Sequence, residues 1–135
     1  MTLWHYTCQH GRDKIGRSGL LLPARDLVPA HRRDALPWPS VYVWLTDLDT
    51  PDADVLGLTR HLIRCDRTAY RYRVSDATGV VAWTTMARRL RMPWTERDYL
   101  EGEPGARPRH WFVSTDPVPV VEAGVRDVLS GPSVL

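Results

Sequence analysis

Cysteine is scarce in this chain: Cys8 and Cys65 stand far apart with no CxxC partner. That spacing argues against a zinc ribbon and against a secreted disulfide framework, and makes a reduced cytosol the expected compartment. Long apolar runs are missing as well. None approaches the roughly 18–20 residues needed to span a bilayer, and "MTLWHYTCQHGRDK" has neither the basic opening nor the long apolar centre of a signal peptide. A soluble, cytoplasmic protein with no membrane partner is expected. There is no GxGxxG and no GxxxxGKS/T, so the usual glycine-rich phosphate loops are absent. Charge of one sign is also lacking, since eighteen basic and sixteen acidic residues are interspersed for a net +2, a weak argument for nucleic acid. Lysine is nearly absent, Lys14 standing against seventeen arginines. Guanidinium groups suit bidentate phosphate recognition, but a genome biased toward arginine codons gives the same composition, so the bias decides nothing alone.

What is present fits one domain over residues 1–135, with 43% hydrophobic content. "TLWHYT" alternates like a short strand, "CQHGRDKIGRSG" reads as a short helix broken at Gly16 and Gly19, and "GLLLP" as an extended piece stopped by Pro23. Residues 24–40 carry Pro29, Pro37 and Pro39 and read as a long loop of the kind used for lids and binding loops. "VYVWLTD" returns to buried strand character, "LDTPDADVLGLTRH" holds turn residues with a helical turn, and "TAYRYRVSD" alternates an apolar face with a basic one. A helix follows over "VAWTTMARRLR", with a stripe of Val81, Met86, Ala87 and Leu90 ended by Pro93, and then a segment capped at Thr95. "HWFVS" and "VPVVEAGVRDVL" read as two last strands. About six strands and two or three helices that do not alternate regularly favour an α+β fold with a mixed, mostly antiparallel sheet over a doubly wound one.

Three chemistries compete for the first strand. His5, Cys8 and His10, with Cys65 as a fourth, are residue types that hold zinc, yet strand alternation sends side chains 5 and 8 to opposite faces and no paired motif follows. Cys8 with His10 has the parts of an activated thiol without a surrounding signature, and a small buried hydrophobe explains Cys8 equally well. In the third reading His5 and Thr7 face the aromatic strand of Tyr42, Trp44 and Thr46, offering hydrogen bonds to a ribose and a surface for a flat ring. A core histidine packed among aromatics accounts for the same residues.

The order "LWHYT", short helix, "GLLLP", proline-rich loop, "VYVWLTD" resembles the N-terminal half of the ADP-ribosyltransferase superfamily, especially its small bacterial and toxin-like, DNA-modifying branch. The resemblance covers roughly the first 47 residues well and the remainder in outline. It implies a split β-sheet with NAD as substrate and no metal, and ADP-ribose transferred to a macromolecule, a nucleic-acid base among the acceptors. On the matching positions it implies that His5 holds a ribose, that the backbone of Tyr6 meets the nicotinamide amide, that Tyr42 stacks on nicotinamide, and that Thr46 closes the second motif. Thr7 and Trp44 belong to the same two motifs. In the late strand, "PRHWFVSTDPVPV", His110 or Trp111 stands where the family usually has an acid. The "EGE" upstream resembles the Glu-x-Glu of arginine-specific members and would make Glu103 the catalytic carboxylate and Glu101 the acceptor-orienting one. An anion suits that task because positive charge develops as nicotinamide leaves, although two glutamates beside Gly and Pro are commonly solvated loop residues. A relative that binds a nucleotide or partner without catalysis, and an enzyme like the RNA phosphotransferases, are the alternatives. A carboxylate facing His5 marks the first reading, a cleft without an acid the second, and converging arginines the third. The basic face of "YRYRV" with Arg12, Arg17 and Arg25 has the chemistry to contact phosphates of NAD or of a nucleic-acid acceptor, and the solvent face of a half-buried strand accounts for the same residues.

Overall fold

The computed structural model describes residues 1–50, 52, 53, 55, 56 and 67–123. The chain forms β1 (Trp4–Thr7), α1 (Gln9–Ser18), β2 (Leu20–Leu21), β3 (Val43–Thr46), β4 (Tyr70–Val74), β5 (Val81–Ala82), α2 (Trp83–Arg89), α3 (Trp94–Glu101), β6 (Trp111–Ser114) and β7 (Val118–Glu122). The strands make one sheet in the order β2-β7-β4-β1-β3-β6-β5, an α+β domain. Every pairing among them is antiparallel, where the sequence suggested a mixed sheet.

The join between the halves of the sheet is thin. β1 and β4 pair over four residues, from Trp4↔Arg73 to Thr7↔Tyr70, and β3 and β6 over four, from Val43↔Ser114 to Thr46↔Trp111. Between the halves β1 meets β3 only at Trp4↔Thr46, and the strands part beyond it. Side-chain alternation gives each face its own core. Leu3, Ile15, Leu21, Val43, Leu45, Tyr72, Val118 and Val120 form one cluster under α1. Tyr42, Trp83, Ala87, Trp111 and Val113 form the other on the opposite face.

Several local expectations change. Helix α1 runs through Gly16, where a Cβ would meet nothing within 4 Å, and ends at Gly19, which takes the left-handed conformation (φ 69°) and donates its N–H to Ile15 O at 2.8 Å. The proline-rich loop is organised as three 3-10 turns, Ala24–Leu27, Ala30–Ala35 and Trp38–Val41, preceded in turn by Pro23, Pro29 and Pro37. Helix α3 starts at Trp94 after Pro93 and is not capped by Thr95. On α2 the buried residues are Trp83 and Ala87, while Leu90, assigned above to the apolar stripe, is 52% exposed. The helical turn expected near residues 51–61 and the end of the last strand beyond 123 lie largely outside the described residues.

Arg71 departs most from expectation. Its strand lies inside the sheet between β7 and β1, yet Arg71 is only 4% exposed. The guanidinium lies 4.0 Å from the Trp4 ring centroid and donates to Asp49 O at 2.7 Å. Its charge is thus held inside the fold, whereas Arg73, two residues on, is exposed.

Candidate functional site

The parting of β1 from β3 opens a cavity of about 510 Å3, within the size range of about 300–1,000 Å3 usual for small-molecule sites. His5, Tyr6, Thr7, Tyr42, Trp44 and Thr46 all contribute to its wall. Strand pairing explains what the opening exposes. Val74 donates its N–H to Leu3 O at 2.9 Å, so Leu3, His5 and Thr7 turn their backbone polar groups toward β4. In an antiparallel ladder the alternate residues face the other way, and the N–H and C=O of Tyr6 are therefore directed toward β3, past the last β1–β3 pair.

The His5 ring spans the gap. Its Nδ1 lies 2.8 Å from Trp44 O; a carbonyl only accepts, so Nδ1 carries the hydrogen and, in the neutral ring, Nε2 is the acceptor. Burial pushes the His5 pKa below its ordinary value; the Trp44 hydrogen bond opposes this and the charge of Arg67 adds to it. The neutral tautomer is thus favoured near pH 7.

Other wall residues have structural engagements. The Tyr6 hydroxyl donates to Leu48 O at 2.9 Å, and burial raises its pKa, opposed by Arg71. Thr46 is 2% exposed and its Oγ1 accepts from Leu48 N at 3.2 Å. The Trp44 indole donates to Pro39 O at 2.9 Å. Tyr42 is 8% exposed and meets the rings of Trp38, Trp44 and Trp83 edge-on, so most of the ring expected to stack on a ligand already packs against indoles. Thr7 touches α1 closely: a Cβ on Gly11 would lie 1.9 Å from Thr7 Oγ1, and glycine there lets the first turn of α1 settle on the end of β1. Cys8 Sγ lies 3.7 Å from His10 Nδ1, and both residues line the cavity. Cys65 lies outside the described residues. Among the described residues no three His, Cys, Asp or Glu side chains gather as a metal site would require.

The lining carries Lys14 and Arg67 as cations and, among the described residues, no Asp or Glu. Glu101 and His5 are not brought together. Glu101 holds Arg97 through two contacts, 2.7 and 3.1 Å, and accepts from the Trp83 indole at 3.3 Å. Glu103, two residues on, is half-buried outside that lining. Its neighbours Tyr99 and Leu100 do reach the cavity. At the late-strand position His110 places Nδ1 2.7 Å from Asp47 Oδ1, bridging the end of the β3–β6 ladder, while Trp111 lines the cavity and donates its indole N–H to Val55 O at 2.8 Å. Arg12 pairs with Glu122 at 2.9 Å, and Arg17 and Arg25 lie outside the cavity wall.

Sequence reasoning missed Lys14, Arg67 and Tyr99 as parts of this wall. Lys14 had a signal, standing two turns from Thr7 on a helix packed against the first strand; Arg67 comes from a remote turn and Tyr99 from α3, and neither had one. No helix among the described residues is long and apolar enough to cross a membrane. Compared with protein-family models, with curated proteins and with solved structures, the chain matches none.

Proposed function

We propose that the chain binds NAD across the split between β1 and β3 as a protein of the ADP-ribosyltransferase type. The observation that carries this reading is the unladdered edge of Tyr6 beside the His5 ring. A primary carboxamide offers N–H donors and one carbonyl acceptor, and the N–H and C=O of a single residue complement it. His5 Nε2, an acceptor in the neutral ring, suits a ribose hydroxyl. Lys14 and Arg67 supply positive charge for a diphosphate, and the aromatic wall supplies apolar surface for flat rings.

In the transfer such a site serves, the bond between ribose C1′ and the nicotinamide nitrogen breaks with its electron pair going to the ring, and a nucleophile of the macromolecular acceptor bonds to C1′ and gives up its proton. Positive charge develops on the ribose, and a carboxylate beside it would lower the barrier. Glu101 is committed to Arg97 and Trp83, and the described lining is free of acid. That lining favours a second reading, a module that holds the dinucleotide without cleaving it. The phosphotransferase alternative has only Arg67 as an arginine in the described wall.

The test is a calorimetric titration with NAD on the native chain and on His5→Ala, with nicotinamide release assayed alongside on the native chain, Glu101→Gln and Glu103→Gln. Saturable binding, weakened about tenfold by the loss of a buried hydrogen-bonding ring, supports the site. Release of nicotinamide that falls in a glutamate variant identifies the transferase, and binding without release identifies the module. If NAD does not bind, the proposal is wrong.

A further inference from the structure

A second concave surface lies across α3 from the cavity. Tyr99 and Leu100 of this helix face the split, whereas Arg97 helps line a groove of about 480 Å3 with Thr84, Ala87, Arg88, Arg91 and Met92. Arg88, Arg89 and Arg91 are exposed. Of the three arginines in the groove only Arg97 has a carboxylate partner among the described residues, Glu101. Arg88 and Arg91 leave their positive charge to solvent.

The backbone makes this arrangement unusual. Met92 N donates to Ala87 O at 3.0 Å and Arg91 N to Arg88 O at 3.1 Å, the paired bonds of a Schellman motif, in which the residue after the helix cap takes the left-handed conformation and is ordinarily glycine. Here that residue is Arg91, with φ 50°. It is the one non-glycine residue at positive φ among those described. A side chain there costs stability that glycine would not, and it places a guanidinium in the groove. One helical turn before Arg97, on the same side of α3, Trp94 stands 66% exposed.

We propose that this groove binds single-stranded nucleic acid, Arg88 and Arg91 contacting successive phosphates and Trp94 stacking on an unpaired base. Exposed arginines without carboxylates complement a phosphodiester chain, and a bare indole face suits a base not covered by a partner strand. Duplex bases offer no such face. The groove lies on the other flank of α3 from the NAD cleft and would bind the strand whether or not the cleft holds NAD.

The experiment is fluorescence anisotropy with a labelled single strand of about 20 nucleotides, long enough for one or two binding sites, and with the same sequence as a duplex, on the native chain, Arg91→Gly and Trp94→Ala. Thermal midpoints are read on all three proteins and NAD is titrated in parallel. Arg91→Gly is expected to keep or raise the midpoint while weakening single-strand binding about three- to tenfold and making the salt dependence shallower by about one counterion. Trp94→Ala is expected to weaken it about tenfold, the scale of one lost base stack. No binding at low salt, equal or tighter binding of duplex, or variants that bind like the native chain would each overturn the proposal. Loss of the NAD result with single-strand binding retained would sink the proposed function and leave this groove standing; the converse result would sink only the groove.

Discussion

Replacing Trp83 by alanine is the severest single test of how the second core supports the cleft. The side chain is 0% exposed. Its ring stacks on Trp38 at 5.4 Å and 16°, lies 5.1 Å from Trp44 and 5.9 Å from Tyr42, and its N–H reaches Glu101. A buried tryptophan removes about 200 Å2 from water, worth about 5 kcal/mol at about 25 cal/mol/Å2. Compactness of the unfolded chain trims this by about 10–40%, leaving about 4 kcal/mol, within the range of about 3–5 found for large aromatic truncations. With about 2.1 cal/mol/K of unfolding entropy per residue, 135 residues give about 0.28 kcal/mol/K, so the thermal midpoint should fall by about 14 °C. Urea unfolding followed by circular dichroism checks the free energy and calorimetry the midpoint. Trp83→Phe, which keeps the packing and loses the indole N–H, should cost less than half as much. A loss below about 1 kcal/mol for Trp83→Ala, far under the range of about 3–5 for large aromatic truncations, would refute the claim that these four rings form one cooperative unit.

Two further outcomes follow from the first strand. Because the folded chain holds His5 neutral below its ordinary pKa, the unfolded chain takes up the proton first as pH falls. Stability should therefore drop as pH falls below about 6.5 and level off beneath the folded pKa, with no contribution above that window; thermal midpoints of His5→Gln should decline less on this acid side, and an unchanged decline would contradict the assignment. Gly11→Ala should lose about 1–3 kcal/mol through the clash with Thr7 Oγ1, Thr7 being too stiff at χ1 to swing clear. Adding Thr7→Ala should recover at least about 1 kcal/mol in a double-mutant cycle, and strict additivity would be the contrary result.

The elements with strong period-two patterning were legible. Strands at Trp4–Thr7, Val43–Thr46 and Tyr70–Val74 carry aromatic and β-branched residues bounded by turn formers, and the site residues of the first two share one cavity wall. Arg71 was misread because alternation tells which residues share a face, not whether that face meets water; what packs over it, here Trp4 and Asp49, settles this, and no local pattern encodes it. Gly16 was taken as a break because glycine lowers helix propensity, yet Ile15 buried against the sheet outweighs that penalty of about 1 kcal/mol. Trp83 escaped the apolar stripe because the helix starts on it, two residues later than the pattern suggested. The left-handed Arg91 had no signal at all, since the residue that announces such a turn is glycine. The engagement of Glu101 with Arg97, four residues away on one helix, was within reach of sequence spacing.

The single rung Trp4↔Thr46 between the two half-sheets has a consequence for how the chain is assembled. One half draws on residues 4–7, 20–21, 70–74 and 118–122 and the other on residues 43–46, 81–82 and 111–114, so the two interleave along the sequence. Each closes loops of more than sixty residues, pairings that form slowly and raise contact order. Neither can be cut out as a contiguous fragment, and a ribosome must release nearly the whole described chain before either is complete. The halves share one ladder rung and a common core, and they are inseparable in synthesis.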